Sequence, residues 1–437
     1  MSIPLHKALQ TAAVAWAKMR TEGSSLERAL AFATKGMSAE EKGASQSVLY
    51  NATRHWAKLD VITQKLISRE PPVETKCLLE VALALLLNGK ENHFTVVNQA
   101  VQAAKANPAT VHGAGFINAV LRNFLRSQTQ LTKGFATNLS TRFNAPGWWI
   151  SKIRKAYPQD WESILTTQTL PPPMTLRINQ RRTTMQDYRQ MLTDAGIEAT
   201  PIGDCGLVLD RPRPVNEVPG FQDGLVSVQD AGSQMVPQFL KPSCGQNILD
   251  ACSAPGGKTA HLLEAEDVTV TAVEVDPERA KKIDSTLSRL GLKANIVVSD
   301  AADIKKLEKS GPYDAILLDA PCTASGIVRR HPDIVWMRRP QDIENLAAQQ
   351  RKLLNAMWSI LPAGKKLLYA TCSIFPEEGP LQIERFLAEH PDAQATALPG
   401  LDSSMLRLIP TDKEKNPALP LVHDGFFYAL MTKKEAC

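Results

Sequence analysis

Two segments carry the residue types that covalent catalysis requires: Leu317-Leu318-Asp319-Ala320-Pro321-Cys322 and Tyr369-Ala370-Thr371-Cys372-Ser373. Each closes an apolar run with the length of a buried strand, which predicts that Asp319, Cys322 and Cys372 emerge at neighbouring strand ends. A single buried cysteine usually behaves as a small hydrophobe. Two thiols beside a carboxylate at such ends instead suit a nucleophile, an assisting thiol and an acid. One reaction that needs all three is methylation of a cytosine at carbon 5. That carbon is too weak a nucleophile until a thiolate adds at carbon 6 and makes it enamine-like. An acid such as Asp319 at ring N3 absorbs the charge that develops during addition. A base then removes the carbon 5 proton and the thiol departs. Enzymes that methylate exocyclic amines need no thiolate and present an Asn/Asp-Pro-Pro-aromatic loop, where this chain reads Asp-Ala-Pro-Cys.

The methyl donor needs a site of its own, and an earlier strand end supplies a candidate. Asp250-Ala251-Cys252-Ser253-Ala254-Pro255-Gly256-Gly257-Lys258 is a Gly-rich turn opening a helix, where absent side chains let a ligand approach the backbone. It has neither the Gly-x-Gly-x-x-Gly fingerprint of dinucleotide sites nor the spacing of a phosphate-cradling loop, which disfavours NAD and ATP and favours S-adenosyl-L-methionine. The next strand ends at Glu274, the first choice for accepting from ribose hydroxyls, with Asp276 in reserve. Asp300 closes the strand after that, where its carboxylate suits the adenine amino group.

The elements that must position these residues follow from periodicity. From residue 225 onward short apolar strands at 247–250, 268–274, 294–299, 313–319 and 366–371 alternate with helical stretches, the pattern of a doubly wound α/β sheet. Residues 144–224 predict a small α+β subdomain, with a strand over 174–179 and a helix over 185–196. Arg177, Arg181 and Arg182 there are candidate contacts to an RNA backbone. Residues 4–130 read as helices throughout, divided into roughly five by Gly23-Ser24, Pro71-Pro72, Gly89 and Pro108. The last of these places Asn118, Arg122 and Arg126 one turn apart on one face, as candidate phosphate contacts. Charge is uneven: residues 1–143 hold 17 Lys and Arg against 9 Asp and Glu, whereas residues 225–437 hold 24 against 27. A basic first module beside a near-neutral one suits delivery of a polyanion to the second.

Other classes are disfavoured. The amino terminus lacks a basic segment followed by an apolar one, and the longest greasy run, Cys77 to Leu87, is too short for a bilayer and contains Glu80. A cytoplasmic protein without a membrane span is expected. Seven cysteines (Cys77, Cys205, Cys244, Cys252, Cys322, Cys372, Cys437) with no Cys-x-x-Cys pair fit neither a disulfide framework nor a zinc ribbon, and no metal is expected.

At Cys252-Ser253-Ala254-Pro255-Gly256-Gly257-Lys258, Asp319-Ala320-Pro321-Cys322, Thr371-Cys372-Ser373 and the late Asp424-Gly425-Phe426-Phe427-Tyr428, the chain resembles the bacterial 16S ribosomal RNA cytosine-C5 methyltransferases of the Fmu/Sun family. The resemblance covers essentially the whole chain. Its first domain resembles the NusB family of RNA-binding modules. The resemblance implies three domains: NusB-like and helical over 1–143, small α+β over 144–224, and a Rossmann-like methyltransferase over 225–437. It implies that Cys372 attacks carbon 6 and Cys322 assists product release. It further implies that residues 252–258, Glu274, Asp300 and Asp319 line the S-adenosylmethionine site, with Asp319 able to face both donor and base. Glu274 stands where an Asp is usual, and its longer side chain keeps the acceptor. Gln229-Asp230-Ala231-Gly232-Ser233-Gln234 is read as structural support beside that pocket, and Arg329, Arg330 and His331 as a loop near the phosphates of the flipped nucleotide. The implied partner is 16S ribosomal RNA, with the enzyme acting as a monomer. A reading of different class is an RNA-binding scaffold whose methyltransferase domain has decayed.

Overall fold

The computed structural model describes residues 4–411 and 419–435, so Cys437 lies outside the described residues. The chain packs as two units, residues 1–170 with 328–339 and residues 171–327 with 340–437.

The first unit is helical. Seven helices, α1 (Leu5–Glu22), α2 (Leu26–Ala33), α3 (Ala39–Arg54), α4 (Trp56–Leu66), α5 (Val73–Asn88), α6 (His93–Lys105) and α7 (Ala114–Thr132), replace the five that Gly and Pro punctuation predicts. The extra boundaries are set by other chemistry. Ser38 and Glu41 form a reciprocal capping box that starts α3, and the α3–α4 break at His55 carries no Gly or Pro at all. Helix α5 is the greasy run. It is buried nearly all round against α1, α3 and α6, with Leu79, Val81, Leu83 and Ala84 fully enclosed. Its Glu80 is buried too, accepting from Trp16 Nε1 at 2.7 Å with Arg20 at 3.7 Å. Burial pushes the Glu80 carboxyl up against those partners.

Residues 328–339 also belong here, although in sequence they come just after the Cys322 segment. Asp333 Oδ2 accepts from Leu26 N at 3.0 Å at the start of α2, and Arg54 Nη2 donates to Arg329 O at 2.6 Å. Trp336 stacks on Trp56 with centroids 5.4 Å apart. The partly buried Trp336 indole adds a packing contact that helps hold the segment against the helices.

The second unit holds two sheets. The small one is antiparallel in the order β2 (Ala199–Ile202), β3 (Gly206–Leu209), β1 (Thr175–Ile178), β4 (Val226–Val228), and the helix Met185–Asp194 covers it through Tyr188 and Leu192. The large one has eight strands. Its parallel centre runs β9 (Lys366–Thr371), β8 (Ala315–Asp319), β5 (Asn247–Ala251), β6 (Thr269–Glu274), β7 (Asn295–Val298). The direction of winding switches between β5 and β8, so the crevice for a ligand opens at their carboxyl ends. Antiparallel β12 (Phe426–Lys433) extends the sheet past β9, carrying β10 (Ala393–Ala395) and β11 (Met405–Leu408). No helix among the described residues is long and apolar enough to cross a membrane.

Candidate active site

The five parallel strands end at one edge, and that edge gathers the residues singled out by sequence. β5 leads into the Cys252–Lys258 turn, β6 ends at Glu274, β8 ends at Asp319 and β9 is followed directly by Cys372. The parallel register pairs Asp319 with Ala370, which brings the β8 and β9 exits side by side.

Cys322 Sγ and Cys372 Sγ stand 3.4 Å apart. Cys322 is 8% exposed and Cys372 is half-buried. The hydrogen bond with Cys372, together with burial, raises the Cys322 pKa well above the ordinary thiol value, so Cys322 holds its proton. The two loops are joined through backbone as well. Gly326 N donates to Cys372 O at 2.9 Å, and Gly425 N donates to Gly326 O at 2.9 Å. A Cβ on Gly425 would overlap the Ile374 side chain and Gly326 Cα, which explains the glycine of the Asp424-Gly425 motif.

Lys258 and Asp319 form the polar half of the site. Lys258 Nζ donates to Asp319 Oδ2 at 2.6 Å. Burial opposes the ammonium charge, but the Asp319 carboxylate outweighs it and raises the Lys258 pKa, with Cys372 adding to the same field.

The residues fit a flat, cationic, hydrogen-bonding donor such as S-adenosylmethionine. Gly256 has φ 95°, and its Cβ would press on Ile283 of the helix Pro277–Leu290, so the turn is held open by a residue without a side chain. Glu274 is 2% exposed, and its Oε2 has no hydrogen-bond partner, meeting only the Arg279 guanidinium at 3.4 Å. A buried acceptor left over at the end of β6 is what ribose hydroxyls require. Asp276 instead caps the helix Pro277–Leu290, accepting from Glu278 N at 2.8 Å, and is spoken for. Asp300 is exposed at the end of its strand and accepts from Ala302 N at 2.9 Å. Cys252 has φ 64°, and burial pushes its thiol up to about 12, which makes it wall rather than nucleophile.

Asp250, at the base of the turn, is fully buried, accepts from Thr259 Oγ1 at 2.5 Å and leaves Oδ1 without a partner. Burial raises its carboxyl from 3.8 to about 7. The folded state therefore binds a proton that the unfolded chain releases between those values, and stability falls as pH rises through that window. Asp250→Asn should remove this component. Urea unfolding at pH 5 and pH 8 should show the variant gaining on wild type at the higher pH; a wild-type-minus-variant difference equal at both values would refute it.

One expectation is corrected. Arg177 does not face RNA: it is 0% exposed and bonded to Glu264, Gln229 and the backbone of Gly257. Arg181 Nε and Arg182 Nη1 donate to backbone carbonyls of Glu264 and Asp223. Arg329, Arg330 and His331 lie in the helical unit, with Arg329 8% exposed. The Gln229–Gln234 segment does support the site. Gln229 accepts from Arg177, and Asp230 accepts from Asp424 N at 3.1 Å. Arg122 Nε donates to Asn118 Oδ1 at 3.0 Å on an exposed face of α7. A residue that sequence reasoning missed is Glu378, fully buried between the two thiol loops; nothing in Pro376-Glu377-Glu378-Gly379 signals which acid turns inward. Among the described residues no group of His, Cys, Asp and Glu is arranged to hold a metal ion.

Comparison with known proteins identifies the family. A family model described as 16S rRNA methyltransferase RsmB/F matches residues 237–432, a Methyltr_RsmF/B-like, ferredoxin-like domain matches 145–216, and the NusB family matches 6–126. The chain is 37% identical over 426 residues to Ribosomal RNA small subunit methyltransferase B of Vibrio cholerae, covering 94% of each chain. Its counterpart from Shigella sonnei is 37% identical over 421 residues, covering 94% of this chain and 95% of that protein. Among solved structures, PH0851 shares the fold with TM-score 0.79 at 23% identity, over 99% of this chain and 100% of that one. A methyltransferase homologue from Pyrococcus horikoshii aligns with TM-score 0.56 at 28% identity, over 67% of this chain and 97% of that one. The chain belongs to the RsmB/F family of 16S rRNA methyltransferases, with S-adenosylmethionine as its methyl donor.

Proposed function

We propose that the enzyme methylates carbon 5 of a cytosine in small-subunit ribosomal RNA through a transient bond between Cys372 Sγ and carbon 6. The observation that carries this reading is the thiol pair, 3.4 Å apart and beside the Lys258–Asp319 ion pair. Methylation of an exocyclic amine or a ribose hydroxyl has no use for either thiol.

S-adenosylmethionine supplies a methyl group on a sulfonium centre. In this reading the Cys252–Lys258 turn, Glu274, Asp300 and Asp319 surround it, the turn giving backbone contacts and Glu274 accepting from the ribose. Cys322, buried and holding its proton, lies beside Cys372 Sγ, the less buried of the two sulfurs, which attacks once a base has taken its proton. The Cys372 electron pair forms the Sγ–carbon 6 bond, and the ring electrons shift toward carbon 5 and N3. The Lys258–Asp319 pair carries the proton this charge requires: Asp319 takes it from the Lys258 ammonium and donates it toward N3. Carbon 5 then takes the methyl group. Loss of its proton to a base restores the carbon 5–carbon 6 double bond and expels Cys372 as the thiolate. Cys322, protonated and adjacent, is placed to assist this departure.

The test uses unmodified small-subunit ribosomal RNA transcribed with cytidine tritiated at carbon 5 and unlabelled S-adenosylmethionine. One tritium should reach water per methyl group transferred, and nucleoside mass spectrometry should find 5-methylcytidine. Methyl transfer without tritium release would move the product elsewhere on the nucleotide. RNA binding without any transfer would favour the decayed scaffold.

A further inference from the structure

We infer that Glu378 is a positioning residue, a buried clamp that fixes the Cys322 loop to the Cys372 loop and so sets the spacing of the two thiols. The inference rests on the proposed reaction only for its catalytic consequence. Glu378 Oε1 accepts from Thr323 N at 2.8 Å and from Gln350 Nε2 at 3.0 Å. Its Oε2 accepts from Ser373 Oγ at 2.6 Å and from Thr323 Oγ1. Gln350 Nε2 also donates to Pro321 O at 3.0 Å, and Tyr369 OH donates to Gln350 Oε1 at 3.0 Å and Glu378 O at 3.1 Å. Pro321 and Thr323 flank Cys322 in sequence, and Ser373 is next to Cys372, so the carboxylate reaches chain neighbours of both thiols, directly or through Gln350. The residue is 0% exposed.

A carboxylate is costly to bury, and burial does raise the Glu378 pKa. Only an ionised acid, however, accepts from four donors at once. Glutamine in its place has one oxygen to offer. That oxygen can satisfy the Thr323 and Gln350 nitrogens, whose protons cannot be turned away. The amide nitrogen then faces the Ser373 and Thr323 hydroxyls, which must rotate to accept and give up their present bonds. Glu378→Gln therefore keeps the shape and loosens the link to the Cys372 loop. Ser373→Ala cuts the same link from the other side.

The experiment reads the thiol spacing directly. Full-length protein without RNA is treated with diamide, whose azo bond takes both thiol hydrogens as a Cys322–Cys372 disulfide forms, and the joined peptides are followed by mass spectrometry. Wild type should cross-link fastest, and Glu378→Gln and Ser373→Ala roughly tenfold more slowly, because close, fixed placement governs such intramolecular rates. S-adenosylmethionine affinity should be unchanged. With RNA present both variants should lose methyl transfer in step with the slower cross-linking and form less covalent protein–RNA adduct than wild type, because the loosened Cys372 loop carries the attacking sulfur. Cross-linking at the wild-type rate in both variants would overturn the inference, as would a loss of cofactor binding in step with activity. Slow cross-linking in the variants of a protein that releases no carbon 5 tritium would instead keep the clamp and remove the proposed reaction.

Discussion

Cys372→Ala should lower methyl transfer to RNA on the order of 10⁴-fold or more, the scale on which removal of a covalent nucleophile falls. The alanine leaves the Lys258–Asp319 pair and the cofactor turn intact, so affinity for S-adenosylmethionine stays within about twofold of wild type and RNA is still bound. Cys322→Ala behaves differently. Its partner can still add to carbon 6 and the methyl group can still be transferred, but departure of the thiol is impaired, and a covalent protein–RNA species accumulates on denaturing gels. The measurement pairs tritiated S-adenosylmethionine with the RNA and follows label in free RNA and in the adduct. The assignment has a built-in control, because the two thiols are 3.4 Å apart and general damage to the loops would affect both variants alike. If Cys372→Ala kept full activity while Cys322→Ala lost it, the roles would be exchanged. Full activity in both would end the covalent reading.

The strand-end chemistry was legible because a parallel sheet makes it so. Its strands are short apolar runs, each must cross the core once, and the residues at the carboxyl end of every run emerge at one edge, as Ala251, Glu274, Asp319 and Thr371 do. The late strand β12 was visible only as the motif Asp424–Tyr428; its antiparallel pairing with β9 depends on partners far away in sequence. The helical bundle was legible in kind, yet its helix count was not, because the His55 break lacks any residue that forces it. The capping role of Asp276 was open to sequence reasoning, since an acid just before Pro277 is a natural helix cap. Two features were beyond sequence reasoning for the same physical reason. Arg177 and Glu378 are charged residues at 0% exposure, and burial of a charge is decided by partners that no local pattern reveals. Arg177 even sits among Arg181 and Arg182, where local composition suggests a solvent-facing basic patch.

Arg177 accordingly yields the largest stability effect expected. Its guanidinium meets Glu264 through two bonds, Nε to Oε2 at 2.8 Å and Nη2 to Oε1 at 2.7 Å, with the Arg and Glu side chains 0% and 3% exposed. The remaining nitrogen, Nη1, donates to Gln229 Oε1 at 2.6 Å and to Gly257 O at 2.8 Å. Arg177 stands on β1 of the small sheet, Glu264 on the helix after the cofactor turn, and Gly257 in the turn itself, so one side chain joins all three. Arg177→Met leaves Glu264 as a buried, unpaired carboxylate and should cost about 3–5 kcal/mol. Lysine does not rescue it, since a point charge cannot form the paired fork and reach Gly257 as well. The double variant Arg177→Met with Glu264→Leu removes both charges and should recover much of that stability, because a buried ion pair can be replaced by packed apolar groups at little cost. It should not recover cofactor affinity. Gly257 O still lacks its donor, and the end of the turn that opens the helix loses its tie to the small sheet, while Ser253, Ala254 and Pro255 keep their bonds to Val273, Arg279 and Thr286. Urea unfolding and calorimetric titration with S-adenosylmethionine separate the two effects. Recovery of both together in the double variant would mean that Arg177 stabilises the fold alone and does not anchor the cofactor turn.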